Sequence, residues 1–338
     1  MCKLHIMQEQ FISYLKKKMR EHDSLTDSVA TILDINYDAA YRRVTGKTSL
    51  SLDEAVQLAK HYKISLNKLF EVGEQNTILA SRSPQLKDEQ DLEYYFKASK
   101  ENLLPIARLK SATITYSAKD IPLFYTLKDS YLTRYKIYVW LKLINKDMAK
   151  KKTSFDDFIQ TIPNSLLQSA YSLGETYNYI NIVEFWNDNT INGTLQQIMY
   201  FFESGLLSKE FALRICDDLI AVIDHVEKQT IQQSIIGSKN KSTYNLYKSD
   251  LLTMSNTIMV TTSHQKVFFT PFTVLSYFKI EHQDTCDLME DFFKRQKMNS
   301  KLLVNAGEKD RTLFFYKMYE KVDIIKERIN IDKKLTFI

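Results

Sequence analysis

Glycine and proline let a chain turn sharply, and this chain has only 7 Gly and 5 Pro in 338 residues. Architectures built from many short strands use those residues at most of their corners, so the scarcity argues against a sandwich or barrel and for a mainly helical fold. With 44% hydrophobic and 26% charged residues, there is enough apolar surface for a sizeable core and enough charge for solubility. At this length, two domains or more are expected.

The formal charge of +5 permits nucleic-acid binding without requiring it. Cys2, Cys216 and Cys286 are odd in number and far apart, which suggests neither a disulfide framework nor a CxxC metal knuckle. No run of 18 apolar residues occurs, and the amino terminus MCKLHIMQEQFISYLKKK lacks the apolar centre of a signal peptide. A cytoplasmic chain with no membrane association is expected.

The first seventy residues carry helical periodicity in short, well-punctuated pieces. Met7, Phe11, Ile12, Leu15 and Met19 share one face of a helix over 7–21, and Lys16, Lys17, Lys18 and Arg20 gather at its end. That cluster suits a helix terminus and could also contact DNA phosphate. A second helix is predicted over 25–33, with a turn at Asp34 and Ile35. Asn36, a favoured N-cap residue, then starts a third helix that Gly46 stops. Ser51-Leu-Asp-Glu54 is a capping box at the head of a fourth helix that runs to His61, and Ser65 caps a short fifth one.

On the third helix Ala40 and Val44 point to the core, which leaves Tyr37, Asp38, Tyr41, Arg42 and Thr45 nearer the opposite side. A solvated face would carry Glu and Lys. Two tyrosines and adjacent arginines instead offer planar hydrogen-bonding groups suited to base edges, thymine methyls and phosphates. The alternative is that one tyrosine tops the core and one arginine pairs with Asp38.

Taken together, LDINYDAAYRRVTGK, SLSLDEAVQLAKHY and KISLNKLF resemble the turn and recognition helix, the capped fourth helix and the closing segment of the Cro/C1-type helix-turn-helix family. The family is also called the xenobiotic-response-element type, and the resemblance covers residues 7–72. It implies a recognition helix in the major groove of DNA, with the second helix laid across the backbone. Carried to matching positions, it implies base contacts from Asn36, Tyr37, Asp38 and Tyr41. Thr26, Arg42, Arg43 and Lys47 are the implied backbone or neighbouring contacts. Thr26 stands where many relatives have glutamine, and Arg43 where an aliphatic residue is common. Residues 1–75 hold eleven Lys or Arg and ten Asp or Glu, so binding would need basic residues gathered on one face and a dimer to double the phosphate contacts.

Residues 73–90 are polar, contain Pro84 and lose periodicity, as a linker does. Residues 91–338 form the expected dimerisation or effector domain. It is read as a mostly helical α+β domain with a small antiparallel sheet. Helices are expected over 91–104, 131–144, 155–171, 177–186, 192–206, 208–233, 284–303 and 309–329. Strands are expected over 108–117, 244–252, 257–262, 266–272 and 274–280, with Ser263-His264 as a hairpin connection. Segments such as NTINGTLQQIMYFFESGLL faintly resemble uncharacterised carboxy-terminal regions of bacterial regulators of the same helix-turn-helix type.

No GxSxG, Walker A, HExxH or GxGxxG motif occurs, so no enzyme is predicted. His282 and Cys286, four apart, lack the further ligands that zinc needs, and His225 is expected on the solvated side of its helix. No cofactor or metal is predicted. The resulting expectation is a bacterial transcription regulator, homodimeric on double-stranded palindromic operator DNA, with room for an unidentified effector. The alternatives are an enzyme regulated through a DNA-binding domain and a protein-interaction scaffold.

Overall fold

The computed structural model describes residues 4–19, 24–70, 77–238, 241–251, 256–304 and 308–331. Cys2, Arg20, Glu21, Leu252 and residues 71–76, which include the expected domain boundary at 72, lie outside them. The chain divides into two compact units, Met1–Leu79 and Ala80–Ile338.

The amino-terminal unit holds α1 (Leu4–Lys18), α2 (Leu25–Leu33), α3 (Tyr37–Val44), α4 (Leu52–His61) and α5 (Leu66–Phe70). Phe11, Ile12 and Leu15 of α1 meet Leu25, Val29, Ala40, Leu58 and Ala59 in one buried cluster. A fully buried side chain of this kind contributes roughly 1.5–3 kcal/mol. The helix starts follow cap chemistry. Ser24 Oγ accepts from the Asp27 N–H, and Asn36 Oδ1 from the Ala39 N–H at 2.8 Å. Ser51 and Glu54 form the full reciprocal capping box. Asp34 ends α2 in the left-handed conformation (φ 53°), and its N–H bonds the Ala30 carbonyl, a conformation that Asp tolerates better than most residues.

The larger unit corrects the expected fold class. In place of a small antiparallel sheet it has an eight-stranded mixed sheet in the order β1-β7-β6-β5-β2-β3-β4-β8. The strands are β1 (Ala80–Arg82), β2 (Thr113–Ser117), β3 (Asn181–Trp186), β4 (Tyr244–Lys248), β5 (Thr257–Thr261), β6 (Lys266–Thr273), β7 (Ser276–Ile280) and β8 (Lys301–Leu302). The central strands β2, β3 and β4 are parallel, in the registers Tyr116↔Glu184 and Glu184↔Leu246. The unit is thus a substantial α/β domain.

Its helices are α6 (Glu89–Ala107), α7 (Tyr131–Ile144), α8 (Lys146–Lys150), α9 (Phe155–Thr161), α10 (Asn164–Tyr177), α11 (Asn192–Glu203), α12 (Lys209–Gln232), α13 (Gln283–Met298) and α14 (Glu308–Ile331). Helices α7 to α10 join β2 to β3, and α11 with α12 joins β3 to β4, because parallel neighbours require long crossovers. Those crossovers are why a large sheet coexists with so little glycine and proline. Where true hairpins occur, other residues make the turn. Thr262 Oγ1 accepts from the His264 and Gln265 N–H groups, and Leu275 adopts φ 53° between β6 and β7.

Ile114, Tyr116, Ile182, Trp186, Tyr244 and Leu246 point into the main core shared with the helices. On the opposite face Phe185 stacks on Tyr247 and on Phe293 of α13, at ring separations of 5.3 and 5.9 Å. Residues 177–186, expected as a helix, end in β3. The expected helix over 155–171 is two helices, parted at Pro163, whose ring disfavours the helical region in the residue before it.

Candidate nucleic-acid interface

Helix α3 is fixed from beneath by groups that its own sequence and α4 supply. The Arg43 guanidinium is held by Glu54 Oε1, at 2.8 Å from Nε and 2.7 Å from the terminal nitrogen, and also donates to the Ala39 carbonyl. Glu54 Oε2 accepts the Ser51 N–H at 2.9 Å, so one carboxylate caps α4 and anchors α3 together. Bonding to Arg43 holds that carboxyl below its usual range. From α1, the Gln8 amide donates to the carbonyls of Arg43 and Thr48 at 2.8 and 2.9 Å, and accepts the Leu50 N–H at 3.0 Å. Gly46 makes the turn at φ +74°. Gln57 Nε2 donates to the Ile32 carbonyl at 2.7 Å, tying α4 to the end of α2.

The outward side of α3 is chemically free. Tyr37 is 54% exposed and Tyr41 44%, with Asp38 and Arg42 exposed beside them. Tyr37, Asp38 and Arg42 make no side-chain hydrogen bond or ion pair among the described residues. Lys47 Nζ lies 5.6 Å from the Tyr41 ring centroid, a cation–π separation that brings a positive charge to the carboxy-terminal end of the face. Asn36 is exposed, but its carboxamide oxygen is occupied as the α3 cap. Thr26 sits half-buried in the first turn of α2. Arg43 is half-buried, and Glu54 takes up its guanidinium. Lys16, Lys17 and Lys18 are exposed at the end of α1.

A second polar centre, not anticipated from sequence, lies within the larger unit. Glu184 is fully buried on β3 and accepts four donors. Tyr177 hydroxyl reaches Oε1 at 2.9 Å, Tyr244 hydroxyl reaches Oε2 at 2.8 Å, Trp186 Nε1 reaches Oε2 at 3.0 Å, and Tyr125 bridges both oxygens at 3.1 and 3.2 Å. Burial pushes this carboxyl up to about 7, against the opposing pull of its donors. His225, half-buried and not solvated as expected, packs its ring 6.1 Å from that of Tyr125. Burial chiefly, with help from Lys128, moves it down to about 4. The adjoining cavity of about 10 Å³ holds roughly one water, so the cage has no space for a substrate. The acid in the apolar run NIVEFW is the signal that marks it.

His282 caps α13, its Nδ1 2.9 Å from the Thr285 hydroxyl, and the buried Cys286 thiol donates to the Ile280 carbonyl at 3.5 Å. Among the described residues no group of three or more His, Cys, Asp or Glu is arranged to hold a metal ion, and no helix is long and apolar enough to cross a membrane. Protein-family models, curated proteins and solved structures give no match to this chain.

Proposed function

We propose that the amino-terminal unit binds double-stranded DNA in a sequence-dependent manner through the outward face of α3. The protein then acts as a transcription regulator, a homodimer on a palindromic site, with the larger unit serving dimerisation or effector sensing. The observation that supports this reading most is the exposed set Tyr37, Asp38, Tyr41 and Arg42 on a helix locked from behind by Arg43, Glu54 and Gln8. An eight-residue helix can enter a major groove, and rigid support beneath it preserves the register of its side chains.

Roles follow from the chemistry. Tyr37 and Tyr41 supply hydroxyls and flat rings to base edges and thymine methyls, Asp38 accepts from cytosine amino groups, and Arg42 with Lys47 reaches guanine or phosphate. Arg43 is a positioning residue on this reading, since Glu54 and the Ala39 carbonyl take up its guanidinium. The test is selection of bound fragments from random DNA by the purified full chain, followed by titration of the selected site. Tyr37→Ala, Tyr41→Ala and Arg42→Ala together should lower specific affinity at least a hundredfold, on the basis of about 1–3 kcal/mol for each lost contact. Unchanged binding by the triple variant would sink the assignment of this face.

A further inference from the structure

Helix α14 is apolar on two sides, whereas a helix on a domain surface needs only one apolar stripe. Phe314, Phe315, Met318, Val322 and Ile329 are buried, and the helix packs on α11 and α12. On the outer side Leu313, Ile324 and Ile331 stand 47%, 50% and 55% exposed. At 100° per residue these three fall within about 20° of one line along the helix. Lys317 lies about 20–40° to one side of that line, toward Lys321 and Arg328, and is held by Asp188 at 2.9 Å.

The two flanks of this line carry opposite charge. On one flank are Glu320 and Glu327, with Tyr316 and Asp323 beyond them, all exposed and without a hydrogen bond or ion pair among the described residues. The other flank presents Lys321 and Arg328 at the rim of a groove of about 500 Å³ between α14 and α11, walled by Leu195, Met199 and Tyr200. Arg328 meets Glu203 only at 3.5 Å, with both side chains more than half exposed. Lys321 donates to the Asp188 carbonyl and, at 3.5 Å, to Asn189 Oδ1, which leaves one of its three protons to give.

We propose that this surface binds a second copy of the chain, α14 lying parallel to α14 about a twofold axis. Charge decides the direction. In a parallel pair each flank faces the opposite flank of its partner, so Glu320 and Glu327 of each copy come against Lys321 and Arg328 of the other. The acidic, tyrosine-bearing ridge then fills the groove, where Arg328 exchanges its long contact with Glu203 for the partner's ridge, twice. An antiparallel pair sets acid against acid and base against base, which costs stability at short range. Such an interface is isologous and closed. The inference rests on the reading of the protein as a homodimer and names the surface that makes it; it requires nothing of α3.

The test uses the full chain without DNA. Sedimentation should give twice the chain mass for the wild type and the single-chain mass for Glu320→Lys combined with Glu327→Lys, two exposed positions whose change leaves the core untouched. In a Cys2→Ser background, Leu313→Cys and Ile324→Cys should each form a disulfide between copies under mild oxidation, since the native Cys216 and Cys286 are buried. An antiparallel pair centred on Ile324 would hold the two 313 positions roughly 33 Å apart, so cross-linking at 324 alone overturns the parallel arrangement. A wild-type dimer indifferent to the charge reversal, and cross-linked at neither position, overturns the surface while the homodimer stands. A monomeric wild type overturns both.

Discussion

Glu184 and His225 sit on either side of Tyr125 and respond to pH in opposite directions. The folded state raises the Glu184 carboxyl from 4.5 to about 7, so it binds the extra proton between those values, and stability from this group falls as pH rises through 7. His225 is lowered from 6.5 to about 4. It stays neutral where the unfolded chain is protonated, and stability from it falls as pH drops below 6.5. Between pH 4.5 and 6.5 the two slopes oppose each other. Glu184→Gln should therefore give a melting temperature that rises across that window, and His225→Gln one that falls from pH 4.5 to about 7. The wild type should be flatter than either; parallel profiles for all three proteins, followed by circular dichroism, would refute the pairing. Glu184→Gln also replaces one acceptor oxygen by an amide donor facing Tyr or Trp donors, so it should lower stability throughout by roughly 1–3 kcal/mol.

At the scale of the element, one carboxylate serves two helices. Glu54→Ala removes half the α4 capping box and the anchor of Arg43 at once. We expect a loss of about 1–2 kcal/mol in the amino-terminal unit, and a smaller loss for Glu54→Gln, which keeps an acceptor for the Ser51 N–H. Amide hydrogen exchange in α3 and α4 of the intact chain measures both; equal protection in all three proteins would exclude the shared anchor. The same elements explain what could be read from the sequence. Caps are local chemistry, and Asn36, Ser51 and Glu54 mark their helices within four residues. The exposed face of α3 followed from spacing, but the fate of Arg43 did not, because Glu54 lies eleven residues away and nothing in the pattern couples them. Strand β3 was hidden for another reason. In NIVEFW both faces of the strand are covered, so the alternation that reveals a half-buried strand is missing. Parallel pairing of β2, β3 and β4 spans more than sixty residues at each step, beyond any local signal.

In the complete chain, dimerisation through α14 and DNA reading by α3 are coupled. If α14 makes the dimer and α3 reads DNA, the charge-reversed monomer keeps every contact of one half-site and loses the second. Its affinity for a palindromic fragment should fall by about 10²–10⁴ through loss of effective concentration. Its dependence on salt should fall to about half the wild-type slope, because half the phosphates are neutralised. Titration at several salt concentrations separates this from damage to α3, which leaves the dimer whole. A variant that is monomeric yet binds the palindrome as tightly as the wild type would uncouple the two surfaces.

The sheet also imposes an order in time. Ser83 bonds the Tyr277 carbonyl 194 residues away, and among the described strands β1 pairs with β7 alone. On a ribosome, residues 80–82 emerge long before their partner exists, while the core of α1 to α5 is already fully synthesised. The amino-terminal unit can therefore finish folding early, whereas the larger unit cannot close this edge until residue 280 is free of the exit tunnel. During that interval the chain carries a completed α3 and an unfinished sheet. How long that interval lasts is set by how fast the roughly two hundred residues between the paired strands are translated.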